Sequence, residues 1–135
     1  MNRVAHGAFL DVSAVLGAVA EYLGAFRPCH TGTMVLELAV LNVRPDEGAN
    51  FERAIRAAHP LIAATQGFRG MEIRRCIENS NRYLLLAKWD SLEDHTLGFR
   101  QSKRYEEWRR LLHHFYDPFP TVEHYEEPLD LSATG

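Results

Sequence analysis

A chain of 135 residues is long enough for one domain and one buried core, and not comfortably for two. Its 18 acidic residues outnumber 15 basic ones for a net charge of −3, and the two signs are interleaved, which argues against a nucleic-acid partner. Two isolated cysteines, Cys29 and Cys76, form no C-x-x-C pair and fit free thiols in a reducing, cytoplasmic compartment.

Residues 1–33 differ from the rest. Ala8 to Phe26 is apolar and rich in Ala and Gly, with Asp11 and Glu21 inside it, too short and too interrupted to span a bilayer. A signal peptide would need more basic charge than Arg3 and an apolar run that Asp11 does not break. The spacing predicts a loosely packed amphipathic helix ending near Arg27-Pro28. Met34, just before the first predicted strand, is an alternative start. The organisation expected is an N-terminal extension over 1–33, a domain over 34–127 and a flexible tail over 128–135.

Val35 to Val43 reads as a strand, with Leu36, Leu38 and Val40 on one face and Glu37, Ala39, Leu41 and Val43 on the other. Both faces are largely apolar, so both need cover. Arg44-Pro45 ends it, because proline gives up a ladder donor. Asp46 is a predicted helix cap. Phe51, Ala54, Ile55, Ala58, Leu61 and Ile62 follow at helical spacing, with a break expected near Ala57 to His59 ahead of Pro60. Gly67 stops this helix. Phe68 to Ile77 and Arg82 to Trp89 are strands joined by the polar turn Glu78 to Asn81, and should pair antiparallel.

Ser91 opens the next helix, with Asp94 three residues on. Gly98 weakens its middle, and Ser102 caps a stronger second segment whose apolar face is Tyr105, Trp108, Leu111, Leu112 and Phe115. Asp117-Pro118 stops it, and Thr121 to Glu126 is a last strand. The order strand-helix-strand-strand-helix-strand is that of an α+β, ferredoxin-like βαββαβ domain: an antiparallel sheet with both helices on one face. Strand one is apolar on both sides and Leu84, Leu85 and Leu86 run consecutively in strand three, where a sheet with one solvated face should alternate apolar and polar. A two-fold homodimer packed sheet to sheet is expected.

Three stretches sharpen this reading: G-F-R-G at Gly67 to Gly70, K-W-D-S-L-E-D-H at Lys88 to His95, and R-Q-S-K-R-Y-E-E-W at Arg100 to Trp108. With the strand order, they resemble the antibiotic biosynthesis monooxygenase family of the dimeric α+β barrel superfamily, over about residues 34 to 127. The resemblance implies a homodimer and, in one branch, cofactor-free oxygenation of an aromatic or phenolic, polyketide-like small molecule by O2. The haem-degrading branch would need an early-strand Asn, a helical Trp and a downstream His. This chain has Asn42 only near the end of its strand, His95 in the Trp position and Tyr105 in the His position, so that constellation is missing. No cofactor is expected.

Such chemistry needs a base that titrates near neutrality, a dry pocket and donors for a developing oxyanion. His95 is the candidate base, and its bland alternative is a boundary histidine bonded to backbone. Trp89 is a candidate indole donor or simply a core aromatic, and Asn42 a candidate oxyanion donor or a strand-end turn residue. Phe99, Arg100, Tyr105 and Trp108 are expected to line the substrate pocket, Arg100 holding a phenolate. His113, His114 and His124 suggest a metal only weakly: adjacent helical histidines diverge, no H-x-x-x-H completes a set, and none is assigned. The alternative from another class is a non-catalytic dimer that binds a small ligand or serves as a structural partner.

Overall fold

The computed structural model describes residues 34–132. The helix expected between Ala8 and Phe26, and the extension as a whole, lie outside the described residues. The elements are β1 (Val35–Asn42), α1 (Gly48–Ala63), β2 (Phe68–Arg75), β3 (Arg82–Trp89), a π-helical segment (Asp94–Phe99), α2 (Lys103–Leu112), a 3-10 turn (His113–Phe115) and β4 (Val122–Tyr125). The strands form one sheet in the order β2-β3-β1-β4, with every neighbouring pair antiparallel. This is the ferredoxin-like α+β arrangement that the element order predicts.

The two faces of β1 divide as its alternation requires. Ala39 and Leu41 join Leu85, Ala87 and Trp89 of β3 in the core beneath the helices. Leu36, Leu38 and Leu86 form a second buried cluster on the opposite face, with Leu84 and Tyr125 packed against it. The leucine run of β3 therefore splits, Leu85 toward the helices and its two neighbours away. Lys88 continues that second face, and burial pulls its ammonium down to about 8 against the attraction of Glu127 and Glu72.

Two expectations about α1 are corrected. Asp46 does not cap it: Asp46 sits at φ 67, in the left-handed conformation of the turn Arg44 to Glu47, where an N-cap needs extended backbone. Glu47 takes the cap position without a side-chain bond to the backbone, and its carboxylate instead accepts from Asn50 Nδ2 at 2.9 Å. Nor does Pro60 break the helix, which runs unbroken to Ala63. Pro60 costs one backbone bond, but its ring is on the exposed side, while Phe51, Ile55, Ala58 and Ile62 hold a continuous buried face on both sides of it.

The serine caps form as the spacing predicts. Asp94 N–H donates to Ser91 Oγ at 3.1 Å, and Tyr105 N–H donates to Ser102 Oγ at 3.2 Å. Between them the chain widens to a π-helix through Gly98, with Arg100 N–H reaching the His95 carbonyl at 3.0 Å. That widening places His95 and Phe99, both buried, above the sheet. Gly67 adopts φ +88, and a Cβ there would lie 2.0 Å from Asp94 Oδ2. The turn between α1 and β2 thus abuts the start of the π segment.

Candidate active site

Between the helix-facing side of the sheet and the π segment with α2 lies a cavity of about 430 Å³. Its strand wall includes Glu37, Leu41, Leu85 and His124; Phe99, Arg100, Tyr105, Trp108 and His113 come from the helical layer, and Tyr116 and Phe119 from the segment leading to β4. The lining is rich in aromatic rings, and Glu37, His95 and His124 meet at one end of it. Such a space suits a flat, apolar molecule fixed by a few polar contacts.

The polar end starts from strand register. Glu37 on β1 and His124 on β4 are direct cross-strand partners, so both point beneath the helices. His95 descends onto them from the π segment. Its Nδ1 lies 2.8 Å from His124 Nε2, and its Nε2 lies 3.5 Å from Glu37 Oε1. Trp89 Nε1 donates to the same Glu37 Oε1 at 2.9 Å, while the indole stacks on the His95 ring at 5.0 Å and 22°. All four side chains are buried.

Burial governs their protonation. It raises the Glu37 carboxyl above its ordinary range, against the Trp89 hydrogen bond and the charges of His124 and Arg100. It lowers His95 to about 3, with the Arg100 charge adding to the effect. It lowers His124 to about 4, helped by His95 and Arg100 and opposed by Glu37. His95 therefore does not titrate near neutrality, contrary to the expectation from its residue type, because burial disfavours its charged form. Both imidazoles are neutral at pH 7, and one must donate to the other across the 2.8 Å contact.

Stability follows from these shifts. An unfolded histidine takes a proton below its ordinary 6.5, while the folded ones resist until about 4 and about 3. Each therefore contributes stability that is present above pH 6.5 and lost as pH falls, by about 1.4 kcal/mol per pH unit. Glu37 has the opposite sign: its raised folded pKa makes the folded state take up a proton first as pH falls, which offsets part of the loss. Denaturant unfolding between pH 7 and pH 5 should show declining stability, with a steeper decline in Glu37→Gln, where the offset is gone.

The structure brings together most of the predicted residues. His95, Phe99, Arg100, Tyr105 and Trp108 all line the cavity, and Trp89 stands directly behind it, fully buried. Asn42 is a correction. It lies at the far end of β1 on the opposite face, its Oδ1 accepting from Arg82 Nε at 3.3 Å and its carbonyl from Asp117 N–H at 2.8 Å. Five residues of strand, about 16 Å, separate it from Glu37, so it cannot donate to an oxyanion in this cavity. His114 is exposed and outside the cavity, whereas His113 lines it and Tyr116 is buried at its edge, bridged to Val43. Glu37 and His124 carry the polar end and had no assigned role. The signal for Glu37 was a lone carboxylate on the helix-facing side of an apolar strand. His124 had none, because its partnership with Glu37 depends on the β1–β4 register. Among the described residues, no group of three His, Cys, Asp or Glu side chains is placed to hold a metal ion, and no helix is long and apolar enough to cross a membrane.

Comparison with known proteins places this architecture. The uncharacterized protein YczJ of Bacillus subtilis is 47% identical over 94 residues, spanning 70% of this chain and 99% of that protein. A crystal structure from Bordetella bronchiseptica, named for an antibiotic biosynthesis monooxygenase, is 34% identical with a TM-score of 0.69, covering 73% of this chain and 100% of that one. SnoaB, a cofactor-independent oxygenase from Streptomyces nogalater, shares the fold at 18% identity and a TM-score of 0.55, covering 73% of this chain and 95% of that one. The family model for antibiotic biosynthesis monooxygenase matches residues 34–111, more than half of the sequence, and the chain belongs to that family.

Proposed function

We propose that this protein is a cofactor-independent monooxygenase that oxidises an aromatic, phenolic small molecule with O2. The observation that carries the reading is the meeting of a neutral histidine pair, a buried carboxyl and Arg100 at one end of an aromatic-lined cavity. The likeness in fold to SnoaB, itself described as a cofactor-independent oxygenase, supports the same direction.

The chemistry balances on such a substrate. An anthrone-type phenol loses a proton from its CH2 to the histidine pair, leaving an enolate. The enolate transfers one electron to O2, and the two radicals combine to a peroxide carrying the new C–O bond. The O–O bond then breaks with loss of the second CH2 hydrogen, giving a quinone and, with the stored proton, water. The Arg100 side chain lines the cavity beside the pair, where a guanidinium favours the negative oxygen of the enolate. Phe99, Tyr105 and Trp108 supply flat apolar walls that position the ring and exclude water.

Two copies are proposed to pack through the sheet face on which Val40 lies, the exposed residue beside the buried Leu36, Leu38 and Leu86. Val40 is 39% exposed there, beside Leu38 on its own strand and opposite Leu84 on β3. Val40→Glu should leave the monomer fold intact and lower the solution mass from dimer to monomer, read by light scattering.

Oxygen uptake with a panel of anthrone-type phenols tests the reading. A product carrying one atom from 18O2 is expected. Tight binding of the phenols without oxygen uptake would favour a non-catalytic ligand-binding dimer instead.

A further inference from the structure

We propose that His124, His95 and Glu37 form a single proton relay, in which His124 Nδ1 takes the substrate proton and Glu37 finally holds it. The proposal rests on the proton-abstraction reading of the cavity and assigns the base within it. His95 is the intuitive base, but its Nδ1 is hydrogen-bonded to His124 Nε2 at 2.8 Å, and its Nε2 stands 3.5 Å from Glu37 Oε1, an ion-pair distance that must shorten for a proton to cross. His124 also lines the cavity, and no described residue bonds its Nδ1. His124 Nδ1 is therefore the ring nitrogen of the pair left to meet a substrate.

Two proton assignments fit these contacts. With Glu37 protonated, the form its burial favours, His95 would carry its proton on Nδ1. The relay requires the other, with Glu37 ionised. His124 carries its proton on Nε2 and donates to His95 Nδ1. His95 carries its own on Nε2, facing the Glu37 carboxylate, which also accepts from Trp89 Nε1. When His124 Nδ1 takes the substrate proton, its Nε2 proton passes to His95 Nδ1, and the His95 Nε2 proton passes to Glu37. Three protons each move one place. The final state holds a carboxylic acid, two neutral imidazoles and the substrate enolate. No imidazolium has to persist in a site where burial disfavours it. The negative charge has in effect moved from Glu37 to the substrate, beside Arg100. The reverse transfer returns the proton to the departing hydroxide of the peroxide. In this scheme His124 is the catalytic residue, His95 and Glu37 are relay residues, and Trp89 positions Glu37 by its hydrogen bond.

The test reads enolate formation by stopped-flow absorbance without O2, in mixtures of H2O and D2O. Wild type should give a curved dependence on deuterium fraction, because several protons move together. Glu37→Gln keeps the size of the side chain and an acceptor for Trp89, yet cannot take a proton. It should slow the step about 100-fold, with a linear dependence and unchanged substrate affinity. An equally fast step in Glu37→Gln, or a linear dependence in wild type, would overturn the relay. If wild type forms no enolate with any phenol, the oxygenase reading fails, and nitrogen NMR of the resting protein decides the relay separately. Both histidines should be protonated on Nε2 alone, with coupling between His124 Nε2 and His95 Nδ1. A His124 protonated on Nδ1 would present no base to the cavity and would overturn it.

Discussion

Replacing His95 by alanine should lower the turnover of an anthrone-type phenol by about 10²- to 10⁴-fold, the range expected when general-base assistance is lost. The variant leaves the cavity walls Phe99, Tyr105 and Trp108 in place, so substrate affinity should change much less than turnover. It also removes the group that joins His124 to Glu37. A steady-state comparison of kcat and KM checks this. Loss confined to KM would reduce His95 to a wall of the pocket.

Truncating Trp89 to alanine should give the largest loss of stability of any single change near the site. Trp89 is fully buried and packs against Phe68, His95 and Phe99. The void alone costs about 3–5 kcal/mol, and the loss of the indole donor to Glu37 adds about 1–3 kcal/mol. Trp89→Phe separates the two, since it keeps most of the volume and removes only the donor. Its cost should be about 1–3 kcal/mol at pH 8, and smaller at pH 5, where a Glu37 lacking its donor can neutralise itself by taking a proton. Thermal unfolding of both variants at the two pH values is the measurement. A loss near zero in Trp89→Phe beside a large one in Trp89→Ala would mean that the hydrogen bond contributes little and packing contributes nearly everything.

The fold was legible because its signals are local. The alternation of β1, the polar turn at Glu78 to Asn81 and the serines at Ser91 and Ser102 each act within a few residues, and each is found where its pattern predicts. Asp46 and Pro60 misled for the same reason in reverse: their local preferences were overridden by a turn conformation and by the buried face of α1. The site was half legible. His95, Phe99, Arg100, Tyr105 and Trp108 follow from one continuous stretch of chain, so a reading of that stretch could find them together. Glu37 and His124 meet only through strand register across 87 residues of sequence, and Asn42 was misplaced because its side chain falls on the wrong face of the same strand.

The central claim is that this cavity removes a proton from a phenolic substrate and hands the resulting enolate to oxygen. Mixing the protein with an anthrone-type phenol under argon and recording absorbance tests it most directly. The account predicts an enolate spectrum that forms on binding, persists without O2 and decays to quinone when O2 is admitted. A phenol that binds yet keeps its neutral spectrum and is unchanged by O2 would contradict it.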